Sequence, residues 1–145
     1  MAVSNTIFRG FTVATSAAAA LTLAFGPAAA EPGPDGHMYG SYAVSGRLPD
    51  GSYSLGVGWN YPDQGTADSR ALAECGDGSC TIALQFQDGC GAIAFRGDRF
   101  AGGSGPTGDD ATRNAMNAVG PPWPSSISAD ATDPAQVFGP DCNGQ

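Results

Sequence analysis

The sequence predicts a small α+β fold: two strand-strand-helix units forming a small antiparallel sheet with two helices, stapled by two disulfides. Three observations predict it. A pattern of strand, turn, strand and alanine-faced helix occurs twice along the chain. The four cysteines are even in number and follow an export-type leader. The large apolar residues are few for a domain of this size, so covalent staples are expected to supplement the core.

The first 30 residues read as a secretory signal peptide. Arg9 and the amino terminus supply positive charge, and the apolar run from Val13 to Phe25 is too short to span a bilayer. Gly26 and Pro27 break that run. Ala28 and Ala30 then set a small-x-small pattern that places cleavage before Glu31. A retained anchor is the alternative, but no stop-transfer charges follow. The expectation is therefore a secreted protein with no integral membrane span after cleavage.

Residues 31–38, rich in Pro, Gly and acid, are expected to form a flexible leader. Residues 39–120 form the α+β domain. Tyr39 to Ser45 predicts a strand, Pro49-Asp50-Gly51 a turn, and Tyr53 to Tyr61 a second strand in which Leu55, Val57 and Trp59 alternate inward. Thr66 is the expected N-cap, with Asp68 in the first turn. Ala67, Ala71 and Cys75 share one helical face beside Leu72, and Gly76 ends the helix. Thr81 to Phe86 predicts an apolar strand.

The second unit starts at Cys90. Gly91 to Phe95 predicts a strand, Gly97-Asp98 a hairpin turn, and Arg99 to Gly105 a glycine-rich return strand. Thr107 is the expected cap of a helix with Asp109 and Asp110 in its first turn and Ala111, Ala115, Ala118 and Val119 on one face, near Met116. Gly120 and Pro121-Pro122 stop it. Residues 121–145 read as a Pro-rich tail tethered by Cys142, with Val137-Phe138 able to add a last strand. The expected core is Leu55, Val57, Trp59, Ile82, Leu84, Phe86, Ile93 and Phe95.

Four cysteines allow three pairings. Cys75–Cys80 and Cys90–Cys142 are favoured, because Gly76-Asp77-Gly78-Ser79 can turn the chain between the first two. A zinc site is a poor match to a Cys-x4-Cys with one distant Cys and a single His.

The order Tyr-Gly-x-x-Ala at Tyr39 to Ala43, Ala-x-x-x-Cys-Gly at Ala71 to Gly76, Cys80, and Cys-Gly-Ala-Ile-Ala at Cys90 to Ala94 resembles the domain of unknown function 4189 family. Phe100 to Thr107, with its following Ala-rich helix, is also similar to members. The resemblance implies a small exported bacterial α+β domain with disulfides, common in actinobacteria, some members of which in pathogens are regarded as host-directed factors. It implies no catalytic residue set. The Pro-rich insert before Cys142 departs from shorter members.

Charge narrows the function classes. The chain carries a net charge of −8 and no lysine. All 14 acidic residues lie beyond residue 30, with every basic residue but Arg9. Nucleic acid and anionic lipid are poor partners for such a surface. Candidate chemistry is sparse. Arg96-Gly97-Asp98 matches an integrin-binding tripeptide but is also hairpin-turn chemistry. His37, the sole histidine, lies in the expected leader. Asp109-Asp110 suits helix capping better than acid–base work, since neighbours on a helix point apart. Asp77-Gly and Asp88-Gly lack the closing Glu of a calcium loop. Gly102 to Thr107 lacks the Lys of a phosphate loop. Trp59 and Tyr61 would offer a sugar or peptide surface if exposed. No cofactor, metal or catalytic residue is expected. The expected function is a monomeric, non-catalytic binding or effector module for an unknown protein or envelope partner. The alternatives are a secreted hydrolase or inhibitor using Asp and Ser residues, and a structural envelope protein.

Overall fold

A computed structural model describes residues 31–121 and 134–145. The expected signal peptide and the Pro122-Trp123-Pro124 stretch lie outside the described residues. The strands are β1 (Tyr39–Val44), β2 (Leu55–Tyr61), β3 (Thr81–Gln87), β4 (Cys90–Arg96), β5 (Arg99–Gly105) and β6 (Gln136–Cys142). Helix α1 (Gln64–Cys75) follows β2, and α2 (Gly108–Val119) follows β5.

The strands form two antiparallel sheets rather than one, in the orders β2-β1-β3 and β5-β4-β6. Each unit has the same topology: a central strand first, then one outer strand, a helix, and the other outer strand. β6 is thus the equivalent of β3, and the tail, through the Val137-Phe138 strand, completes the second sheet as well as being tethered to it. The reason lies in alternation along the central strands. Ala43 faces α1, against Ala71 and Cys75. Ala92 and Ala94 face α2, against Ala111, Ala115 and Val119. The opposite faces carry the large residues, and Tyr42, Val44, Phe86 and Ile93 meet between the sheets. The result is four layers: α1, first sheet, second sheet, α2.

Small residues let each helix approach its sheet. A Cβ on Gly58 would lie 2.5 Å from the Ala67 carbonyl oxygen, and one on Gly103 would lie 2.1 Å from the Ala115 nitrogen. The two helices match in detail. Ala67, Ala71 and Cys75 of α1 occupy the positions of Ala111, Ala115 and Val119 of α2, and each helix follows a proline and a capping side chain.

The cap of α1 is Asp63, not Thr66: the Thr66 N–H donates to Asp63 Oδ1 at 2.8 Å and its hydroxyl to Oδ2 at 2.8 Å. Both residue types cap helices, but Pro62 ends β2 directly before Asp63, so the chain turns there. Asp68 consequently lies beyond the first turn. Thr107 caps α2 as expected, accepting from Asp110 N–H at 3.2 Å. Gly76 closes α1 in the left-handed region, φ 69°.

Cys75–Cys80 and Cys90–Cys142 are the disulfides, with Cα–Cα separations of 6.4 and 4.0 Å. Cys90 faces Cys142 directly across the β4–β6 ladder. The segment expected to be a flexible leader is held from residue 33 on. Gly33 N–H donates to His37 C=O at 2.8 Å, Asp88 N–H to Met38 C=O at 2.7 Å, and Met38 N–H to Asp88 Oδ1 at 3.1 Å. His37 is therefore not loose: its Nδ1 lies 2.8 Å from Asp88 Oδ2.

Candidate functional site

An open groove of about 580 Å³ runs along one end of the sheet interface. Tyr53 and Leu55, entering β2, form one wall; Phe95 at the end of β4 forms the floor; Pro134 and Phe138, leading into β6, form the other wall. Tyr53, Phe95 and Phe100 form an aromatic cluster, with ring centroids 5.2 Å (Tyr53–Phe95) and 5.9 Å (Tyr53–Phe100 and Phe95–Phe100) apart. Phe138, paired with Ile93 across β4–β6, keeps 58% of its surface exposed. Among the described residues no carboxylate, histidine or basic side chain lines this groove. The sequence reading missed Phe138 as a surface feature.

Trp59 and Tyr61 lie elsewhere. The β1–β2 pairing shifts register between Tyr39 and Ser41, opposite Asn60, which has a left-handed φ of 63°. That irregularity breaks the alternation of β2. Trp59 is 39% exposed instead of joining Leu55 and Val57 in the core. It shares a notch of about 310 Å³ with Tyr61, Arg70 and Glu74.

The Arg96-Gly97-Asp98 tripeptide forms the β4–β5 hairpin turn, with Gly97 at φ 59° and Asp98 exposed. Arg96 pairs with Arg99 in the ladder and is half-buried, so the tripeptide does not present both its charges to solvent equally. On the same hairpin Arg99 donates to the Pro121 carbonyl at 2.6 Å, beyond the end of α2. A positive group there complements a helix that has no basic residue in its last turn.

One Ser–Asp pair comes together from separate elements. Ser41 donates its hydroxyl to Asp68, which also accepts from Gln64 Nε2 at 3.0 Å and Gln85 Nε2 at 2.7 Å. Ser41 is 0% exposed, so the pair is a satisfied polar plug between α1 and the first sheet, closed to a substrate. Several other acids act locally. Asp50 is held below the usual carboxylate range by the Ser52 hydroxyl and then its N–H, and Asp77 likewise by Ser79. Asp110 accepts from the Thr107 hydroxyl at 2.7 Å and pairs with Arg113. Among the described residues no cluster of three His, Cys, Asp or Glu side chains could hold a metal ion. No described helix is long and apolar enough to cross a membrane.

These features define a disulfide-stapled α+β domain with one aromatic-lined groove and, among its described residues, a smaller notch of mixed aromatic and charged lining. The chain belongs to the family described as Domain of unknown function (DUF4189), which matches residues 39–121. It is similar to Protein Rv1269c of Mycobacterium tuberculosis, 37% identical over 83 residues, which are 57% of this chain and 62% of that protein. It is also similar to Uncharacterized protein Rv1813c of the same organism, 34% identical over 78 residues, 54% of this chain and 52% of that one. The chain thus spans less than two thirds of the length of these curated relatives. The NMR structure of Rv1813c aligns over 98% of this chain and 99% of that one, at 22% identity and a TM-score of 0.46.

Proposed function

We propose that this chain is an exported, non-catalytic binding module, directed at a protein of the envelope or of a host, that grips an apolar side chain of its partner in the Tyr53–Phe95–Phe138 groove. The groove's composition carries the reading: it is an open concavity with three aromatic side chains, an exposed Phe138, and no carboxylate, histidine or basic side chain among its described lining residues. Aromatic anchors with solvent-excluding rims dominate protein interfaces, whereas catalytic clefts gather titratable groups. Export rests on the residue 13–30 pattern, and the two disulfides accord with an oxidising compartment.

The test uses protein recovered from an exporting host, immobilised and exposed to envelope and host-cell extracts. The reading requires a partner that is retained by the native chain and lost with Phe138→Asp, a change that an exposed side chain tolerates. Hydrolysis of an ester, peptide or glycoside substrate panel, with no partner sensitive to Phe138, would replace it with the hydrolase alternative.

A further inference from the structure

We propose that the notch formed by Trp59, Tyr61, Arg70 and Glu74 is a separate binding site for one ring of a neutral saccharide. β2 is an outer strand, so one of its sides has no neighbouring strand. Trp59, beside the irregularity at Asn60, is 39% exposed, and α1 packs close to the same strand at Gly58, where an added Cβ would lie 3.0 Å from the Arg70 Cβ. Two aromatic side chains and two oppositely charged ones therefore line one small concavity.

That composition has a specific chemical complement. A pyranose has an apolar C–H face, which packs on an aromatic ring, and a rim of hydroxyls that both donate and accept. Arg70 supplies only donors and Glu74 only acceptors. Their ion pair is long, Nε to Oε2 at 3.9 Å, and both side chains are largely exposed, 57% and 43%. Such a surface pair holds its partners weakly, so vicinal hydroxyls can insert between the two groups. The pair is neutral as a unit and the chain around it is acidic, at −8. A polyanion is therefore repelled and a neutral sugar is not. The volume, about 310 Å³, lies at the small end of ligand sites and suits a single ring rather than a long segment. The site is independent of the groove reading.

The experiment follows tryptophan emission in the full chain carrying Trp123→Phe, which leaves Trp59 as the reporter. The probes are neutral hexasaccharides of glucose, mannose, galactose and N-acetylglucosamine, with a heparin hexasaccharide and tetramethylammonium as charged comparisons. At least one neutral probe is expected to give a saturable shift with a Kd at or below about 1 mM. Calorimetry with that probe should show at least about tenfold weaker binding for Trp59→Ala and weaker binding for Glu74→Gln, with Phe138→Asp unchanged. Retained amide dispersion in each variant separates lost binding from lost folding. No saturation by any neutral probe up to about 10 mM overturns the proposal. So does saturation by tetramethylammonium or heparin alone, or binding that Trp59→Ala leaves intact.

Discussion

The hydroxyl of Tyr42, at the centre of the first sheet, donates to the carboxylate of Asp141 on the second. The same hydroxyl lies 3.0 Å from the Gly91 carbonyl oxygen, also on the second sheet. Tyr42 is completely buried, so this bond crosses the layer where the two sheets meet. Burial, followed by the bond to Asp141, pushes the phenol well above its ordinary pKa of 10.0.

Tyr42→Phe is expected to destabilise the fold by about 1–3 kcal/mol, because it leaves the part-buried Asp141 carboxylate short of a donor. Asp141→Asn should cost less when Tyr42→Phe is already present than in the native chain, a non-additivity that denaturant unfolding of the four proteins measures. The phenol also sets an alkaline limit. Its folded pKa is raised, so its contribution is complete below the unfolded value near 10 and is lost as pH rises beyond it. Melting temperature should fall above about pH 10 and fall less in Tyr42→Phe.

Acid should destabilise the molecule through its turns and caps. Asp63 is held below its ordinary 3.8 by the Thr66 hydroxyl and then the Thr66 N–H. Asp88 is lowered by the Met38 N–H and then by His37, and Asp35 by the Tyr39 hydroxyl and then the His37 N–H. Each depressed carboxyl favours the folded state above the unfolded value and ceases to do so as pH falls through the folded one. Melting temperature is expected to be flat from about pH 5 to 8 and to drop below about pH 4. Asp63→Asn, which keeps a capping side chain, should flatten part of that drop.

Helix–sheet contact makes a paired prediction. Gly58→Ala and Gly103→Ala should each destabilise by about 3 kcal/mol or more, since the new methyl group meets backbone that cannot move aside. Gly78→Ala, with nothing within 4 Å, should stay within about 0.5 kcal/mol of the native protein. Chemical denaturation of the three variants distinguishes a required close approach from a general cost of losing glycine.

The two disulfides should contribute unequally. Their sequence separations are 52 for Cys90–Cys142 and 5 for Cys75–Cys80. The chain-entropy model assigns about 4 and about 2 kcal/mol respectively. Replacing each pair by alanine and comparing unfolding free energies checks the order, and a larger loss from the Cys75–Cys80 pair would contradict it.

Much of this architecture was legible in the residues. The doubled strand–strand–helix order, the Thr107 cap and the Gly76 stop follow from local chemistry and match the structure; the favoured cysteine pairing matches too, though only Cys75–Cys80 has a local turn to argue for it. Asp63 and Thr66 were harder to separate, because each can cap and only the path of the chain after Pro62 decides. The split into two sheets depends on which faces meet. Ala43 and Tyr42 are adjacent, and only the fold shows that one touches a helix and the other the opposite sheet. Trp59 was misassigned because period-two alternation presumes a regular strand, and the irregularity at Asn60 has no clear sequence mark. The Phe138 groove was illegible for a different reason: its walls are brought together from β2, β4 and β6, far apart in the chain.

Each disulfide closes within its own sheet-and-helix unit, Cys75–Cys80 in one and Cys90–Cys142 in the other. No sulfur bridge therefore crosses the seam between the units. Side-chain contact, the Tyr42 hydroxyl, the short Asp88-Gly89 link and the bonds of Asn60 with Asn143 and Gly144 hold that seam. Neither crosslink would resist a parting of the two units. Oxidising conditions protect each half, while the fit between the halves depends on noncovalent contact and the one peptide link at Asp88-Gly89.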